Sequence, residues 1–113
     1  MKLLMFSVYD TATQAYMRPF YAQTQKLAER MFDDLVMDQN QEVFRHPEDY
    51  SLFQVGEFDD STGGIVSINP KGIVRAHEAK ARIQAELSAE DAQESIRWLN
   101  EPGGQATPDK KQA

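Results

Sequence analysis

YSLFQVGEFDDSTGGIVSI, Tyr50 to Ile68, is the stretch on which the fold turns. Residues 50–58 are rich in aromatic and branched side chains and read as a strand. Asp59 to Gly64 supplies a turn, and Gly63-Gly64 tolerates the positive φ that tight turns demand. Ile65 to Ile68 then returns as a short strand. The segment is therefore a β-hairpin, and the remaining elements must be arranged around it.

Upstream, Lys2-Leu3-Leu4-Met5-Phe6-Ser7-Val8-Tyr9 reads as a second strand-forming run. Both of its alternating sets are largely apolar, so both faces call for cover. Asp10 to Gln14 carries turn-forming residues. Tyr16 to Tyr21 reads as the returning strand, and Pro19 places it at a sheet edge. Thr24 is a good N-cap for a helix over residues 25–38. There Leu27, Ala28, Met31, Phe32, Leu35 and Val36 fall on one stripe. Residues 39–49 are polar and read as a loop.

Downstream, Asn69-Pro70 resembles a helix start, with proline at the first helical position. It predicts a helix from about 70 to 86. Ser88-Ala89-Glu90-Asp91 resembles a capping box and predicts a last helix to about Leu99. Glu101-Pro102-Gly103-Gly104 stops it. The sequence-based reading is an α+β domain over 1–100, a small antiparallel sheet of two hairpins in the order ββαββαα. Its helices pack on one face, and 101–113 form a disordered tail.

A chain of 113 residues is long enough for one compact domain. Hydrophobic residues at 41% and charged residues at 27% exclude wholesale disorder. With no cysteine, disulfides and thiolate metal sites are excluded. The apolar start is too short for a signal peptide, and no run approaches a membrane span. The expected location is the cytoplasm in which the chain is made. The net charge of −6 works against a phosphate backbone. Most of that charge lies in residues 1–72, which carry a net of −5.

The candidates for chemistry are few. Asp59-x-Ser61-x-Gly63 has the opening spacing of a calcium loop, but its twelfth position is Pro70 rather than a bidentate Glu. A solvated turn explains it better, and no metal or cofactor is expected. His46 and His77 have no metal-ligand spacing. No nucleophile motif, phosphate loop or dinucleotide fingerprint is present, so an enzyme is not expected. Tyr16, Arg18 and Phe20 share one face in strict strand alternation, where aromatics could stack on unpaired bases and arginine could meet phosphate. The competing reading is that these aromatics are core. Lys71, Arg75 and Arg82 fall within an arc of about 40° if residues 70–86 are helical. A solvated helix face with i,i+4 pairing is the competing reading, and the stronger one.

The stretches HPEDYSLF (His46 to Phe53) and GEFDDSTG (Gly56 to Gly63) have a wider meaning. Together with Met1-Lys2-Leu3, Tyr9-Asp10 and Pro19-Phe20, they resemble the small nonstructural protein of gokushovirus-type Microviridae bacteriophages. The resemblance covers about residues 1–80. It implies a protein that assists viral single-stranded DNA synthesis or packaging by binding single-stranded DNA, and it assigns no residue a role.

Two hypotheses follow. In one, Tyr16, Arg18, Phe20, Lys71, Arg75 and Arg82 form a single-stranded DNA surface. A homodimer would gather the sparse cations, and affinity would fall steeply with salt. In the other, Glu48, Asp49, Glu57, Asp59 and Asp60 form an acidic face that docks a replication initiator or procapsid protein. The edge strand at Pro19 and the two-sided apolar first strand favour a homodimer in either case.

Overall fold

The computed structural model describes the backbone of residues 1–100 and the side chains of 1–91 and 93. The expected tail, 101–113, lies outside the described residues. The chain divides into two compact units, Met1–Ala81 and Arg82–Ala113.

The first unit is built on one antiparallel sheet. Strand β1 (Lys2–Asp10) lies at its centre between β4 (Tyr50–Asp59) and the two short strands β2 (Ala15–Tyr16) and β3 (Phe20–Ala22). Strand β5 (Ile65–Arg75) pairs with β4 and forms the far edge. Helices α1 (Gln25–Met37) and α2 (Glu42–Arg45) come between β3 and β4, and α3 (Ala76–Asn100) follows β5. The α+β class and the two-hairpin sheet are as the sequence indicates.

Alternation in β1 sorts the sheet into two faces. Leu4, Phe6 and Val8 point inward, with Leu52, Ala22 and Phe20 beside them in register. They meet Ala28, Phe32 and Val36 of α1, Val43 of α2, and Ala76 and Ala79 of α3. α1 starts where expected, because the Thr24 hydroxyl accepts the Leu27 amide at 3.2 Å. Its buried stripe is narrower than the sequence suggests. Leu27 and Met31 are 41% and 47% exposed, while Ala28, Phe32 and Val36 are sealed. Lys80 fastens the first turns of α3, donating to the Phe44 carbonyl at 2.8 Å with its ammonium over the Phe44 ring.

Four expectations are corrected. The helix foreseen from residue 70 is strand β5 as far as Arg75. β5 pairs Lys71 with Gln54 and Ser67 with Gly56, so Ile68, Asn69 and Pro70 oppose only Val55. Proline therefore sits at an irregularity of an edge strand, where its missing N–H costs no ladder bond. The two helices foreseen at 70–86 and 88–99 are one helix, and the Ser88 capping box lies inside it. The returning strand over 16–21 is broken into β2 and β3 by Met17-Arg18-Pro19. The loop over 39–49 contains α2 and a 3-10 turn at Pro47–Asp49.

Candidate nucleic-acid interface

The far face of the sheet, away from α1 and α2, follows from the same alternation. β1 sends Leu3, Met5, Ser7 and Tyr9 to it. Register adds Tyr16, Tyr21, Ser51, Phe53, Gly56, Phe58, Ile65, Ser67, Gly72 and Arg75. Five of these are aromatic, and they form two groups. Tyr9 and Tyr16 have ring centroids 4.7 Å apart, and Phe53 lies edge-on to both at 6.1 and 5.7 Å. Tyr21 and Phe58 pair at 5.6 Å. Tyr16 and Tyr21 remain 44% and 45% exposed, so ring surface is open to a partner.

Charge is sorted as sharply as hydrophobicity. Arg75 is the single charged strand residue on this face. The strand carboxylates Asp10, Glu57 and Asp59 pair with Tyr50, Leu4 and Lys2 and point to the opposite side. A protein of net charge −6 thus keeps one sheet face free of strand acids.

The residues singled out from sequence are scattered across this geometry. Tyr16 and Arg75 lie on the far face. Phe20 does not: it pairs with Phe6 and stacks on it at 5.9 Å, half-buried against the core. Arg18 is exposed in the connector between β2 and β3. The break at Met17–Pro19 resets the alternation, so Tyr21 rather than Phe20 shares the face of Tyr16. Lys71 lies in register with Gln54, whose other neighbour is the inward Phe6. Arg82 belongs to the second unit, where it pairs with Glu86 at 3.7 Å. The arc of Lys71, Arg75 and Arg82 therefore does not exist.

The acidic set is also divided. Glu48 and Asp49 precede β4, whereas Glu57, Asp59 and Asp60 lie at its other end. At about 3.3 Å per residue, the ten-residue strand holds them roughly 30 Å apart. Asp60 accepts from the Met1 amine at 2.8 Å. Asp59 accepts from the Ser61 hydroxyl at 2.6 Å and the Ser61 amide at 3.0 Å. Those hydrogen bonds hold its carboxyl below the usual range. At the other end, burial raises the Tyr50 hydroxyl, helped by Asp10, Glu42 and Asp49.

Tyr9, Tyr21, Phe53 and Phe58 were not singled out from sequence. Phe53 and Phe58 are five residues apart, and strict alternation would send them to opposite faces. The ladder slips between Phe6–Gln54 and Met5–Gly56, leaving Val55 unpaired and bringing both rings to one side. Gly56, an isolated glycine inside a strand, was the available signal.

A five-stranded antiparallel sheet with helices packed on one side, and with Tyr16 and Tyr21 exposed and no strand acid on the other, defines a small α+β protein. The chain belongs to the Phage ORF5 protein family, whose model matches residues 3–79. That match ends close to Ala81, where the first compact unit ends. No curated protein and no solved structure matches the chain. Among the described residues, no helix is long and apolar enough to cross a membrane.

Proposed function

We propose that this phage protein is a nonstructural protein of the gokushovirus type, and that it assists viral single-stranded DNA synthesis or packaging by holding single-stranded DNA on the far face of its sheet. The observation carrying this reading is the coincidence of two aromatic groups, each with one exposed tyrosine, with a face free of strand carboxylates. Base stacking on such rings is worth about 1–3 kcal/mol per base and tolerates any sequence. Duplex DNA hides its bases and offers mainly phosphates, which an acidic protein repels. Discrimination in favour of single strands then follows from stacking rather than from charge.

The acidic-adaptor reading gains less support. Its five carboxylates occupy two ends of β4 and make no common dock. A second copy of the chain would bring a second Arg75 without adding a strand acid to the face.

Fluorescence anisotropy of a labelled single-stranded oligonucleotide tests the proposal. Saturable binding is expected, weaker for duplex, and reduced about fivefold or more by Tyr16→Ala or Tyr21→Ala. With Arg18 and Arg75 as its two phosphate contacts, the slope of log K against log salt should be shallow, about −1.4, rather than the steep dependence that a gathered basic surface would give. Absence of binding even at low salt would overturn the reading.

A further inference from the structure

A depression of about 310 Å³ lies where β4, β5 and the first turn of α3 meet, and its lining joins Ser51, Phe53, Gly72 and Arg75 of the far face to Glu78 and to the core-side Leu52 and Val74. Gly72 leaves it open. A Cβ there would stand 3.5 Å from the Phe53 ring, so that ring lies over the bare backbone of β5. Arg75 and Glu78 border the same hollow. Among the described residues neither is in an ion pair or a side-chain hydrogen bond, although they carry opposite charges and lie three residues apart. The lining thus offers uncommitted donors, an uncommitted pair of acceptors and an aromatic ring.

We propose that this depression is a subsite for one unpaired guanine. The inference rests on the single-strand reading above and gives that surface a base preference. Guanine presents O6 and N7 as acceptors, the pair an arginine fork meets in its commonest base contact. On its Watson–Crick edge it presents N1–H and N2–H as adjacent donors, which a carboxylate can accept together. Thymine has a single ring N–H and no amino group, so it cannot give Glu78 a two-donor edge. Adenine has no oxygen for Arg75. The Phe53 ring supplies the stacking surface. The carboxylate, which would repel phosphate and weaken a purely electrostatic site, becomes the element that selects the base.

The test compares a short labelled oligothymidylate with the same oligonucleotide carrying one central guanine, on the full chain, by anisotropy. One guanine should tighten binding roughly five- to tenfold, the lower part of the range for a bidentate base contact because the depression is open to solvent. Glu78→Gln, which keeps size and removes charge, should abolish that preference, read as the ratio of the two affinities. Equal affinity of the wild-type chain for both oligonucleotides would overturn the subsite and leave the stacking surface standing. A guanine preference that survives Glu78→Gln would equally overturn it. Failure to bind either oligonucleotide would remove the single-strand reading together with the subsite.

Discussion

At the scale of single residues, two glycines of one hairpin carry different burdens. A Cβ at Gly56 would stand 2.6 Å from the carbonyl oxygen of Val66. That atom is backbone, so relief requires moving β5 against β4 at the place where the ladder already slips. Gly56→Ala should lower stability by about 1–3 kcal/mol, read as a lower urea midpoint. Gly72→Ala meets only the Phe53 ring at an ordinary 3.5 Å and should stay within about 0.5 kcal/mol of the wild type. A similar fall for both would show that loss of flexibility, not the contact, governs the hairpin. Nearby, the Ser61 hydrogen bonds lower the Asp59 pKa. A depressed folded pKa gives stability that is present above the unfolded carboxylate pKa and is lost as pH falls through the folded one. Ser61→Ala should move the Asp59 titration upward, as followed by carboxyl NMR shifts. An unmoved titration would refute the assigned cause.

At the scale of elements, what was legible depended on whether local chemistry and tertiary pairing agreed. They agree in α1: Thr24 caps it, and Ala28, Phe32 and Val36 recur along one stripe and are all buried. Phe32→Ala should therefore cost about 3–5 kcal/mol, measured by chemical denaturation. Met31→Ala, on the half-exposed flank, should cost about 1 kcal/mol or less. Local and tertiary preferences conflict from Asn69 onward. Asn69-Pro70 has the chemistry of a helix start, yet pairing with β4 lets Ile73 and Val74 pack on the core. The strand wins, with Pro70 parked where only Val55 lies opposite. The candidate site was hidden for a related reason. Tyr16 and Tyr21, like Phe53 and Phe58, are five apart and reach one face only because a break or a bulge resets the alternation. Nothing in a period of two could have paired them, and Phe20 was assigned to the wrong side by the same arithmetic.

At the scale of the whole molecule, the question is how much chain the fold requires. The buried cluster runs from Phe6 to Ala79. The family match ends at 79 and the first compact unit at Ala81. A chain ending at Ala81 keeps that cluster, both aromatic groups, Arg75 and the Lys80 bond to Phe44. It should unfold in one cooperative transition and retain oligothymidylate binding, because every residue of the proposed stacking surface lies within it. A chain ending at Arg75 keeps every strand and yet loses Ala76 and Ala79, both fully buried, and the Lys80 hydrogen bond. Burying two methyl groups and making one charged hydrogen bond together contribute about 3–5 kcal/mol. A domain near eighty residues has a total stability of about 4–12 kcal/mol. The shorter chain should therefore be largely unfolded or strongly destabilised, as judged by near-ultraviolet circular dichroism and thermal melting. If it melted like the chain ending at Ala81, the start of α3 would be an attachment to the sheet rather than part of its core, and the boundary of the folding unit would belong at the end of β5.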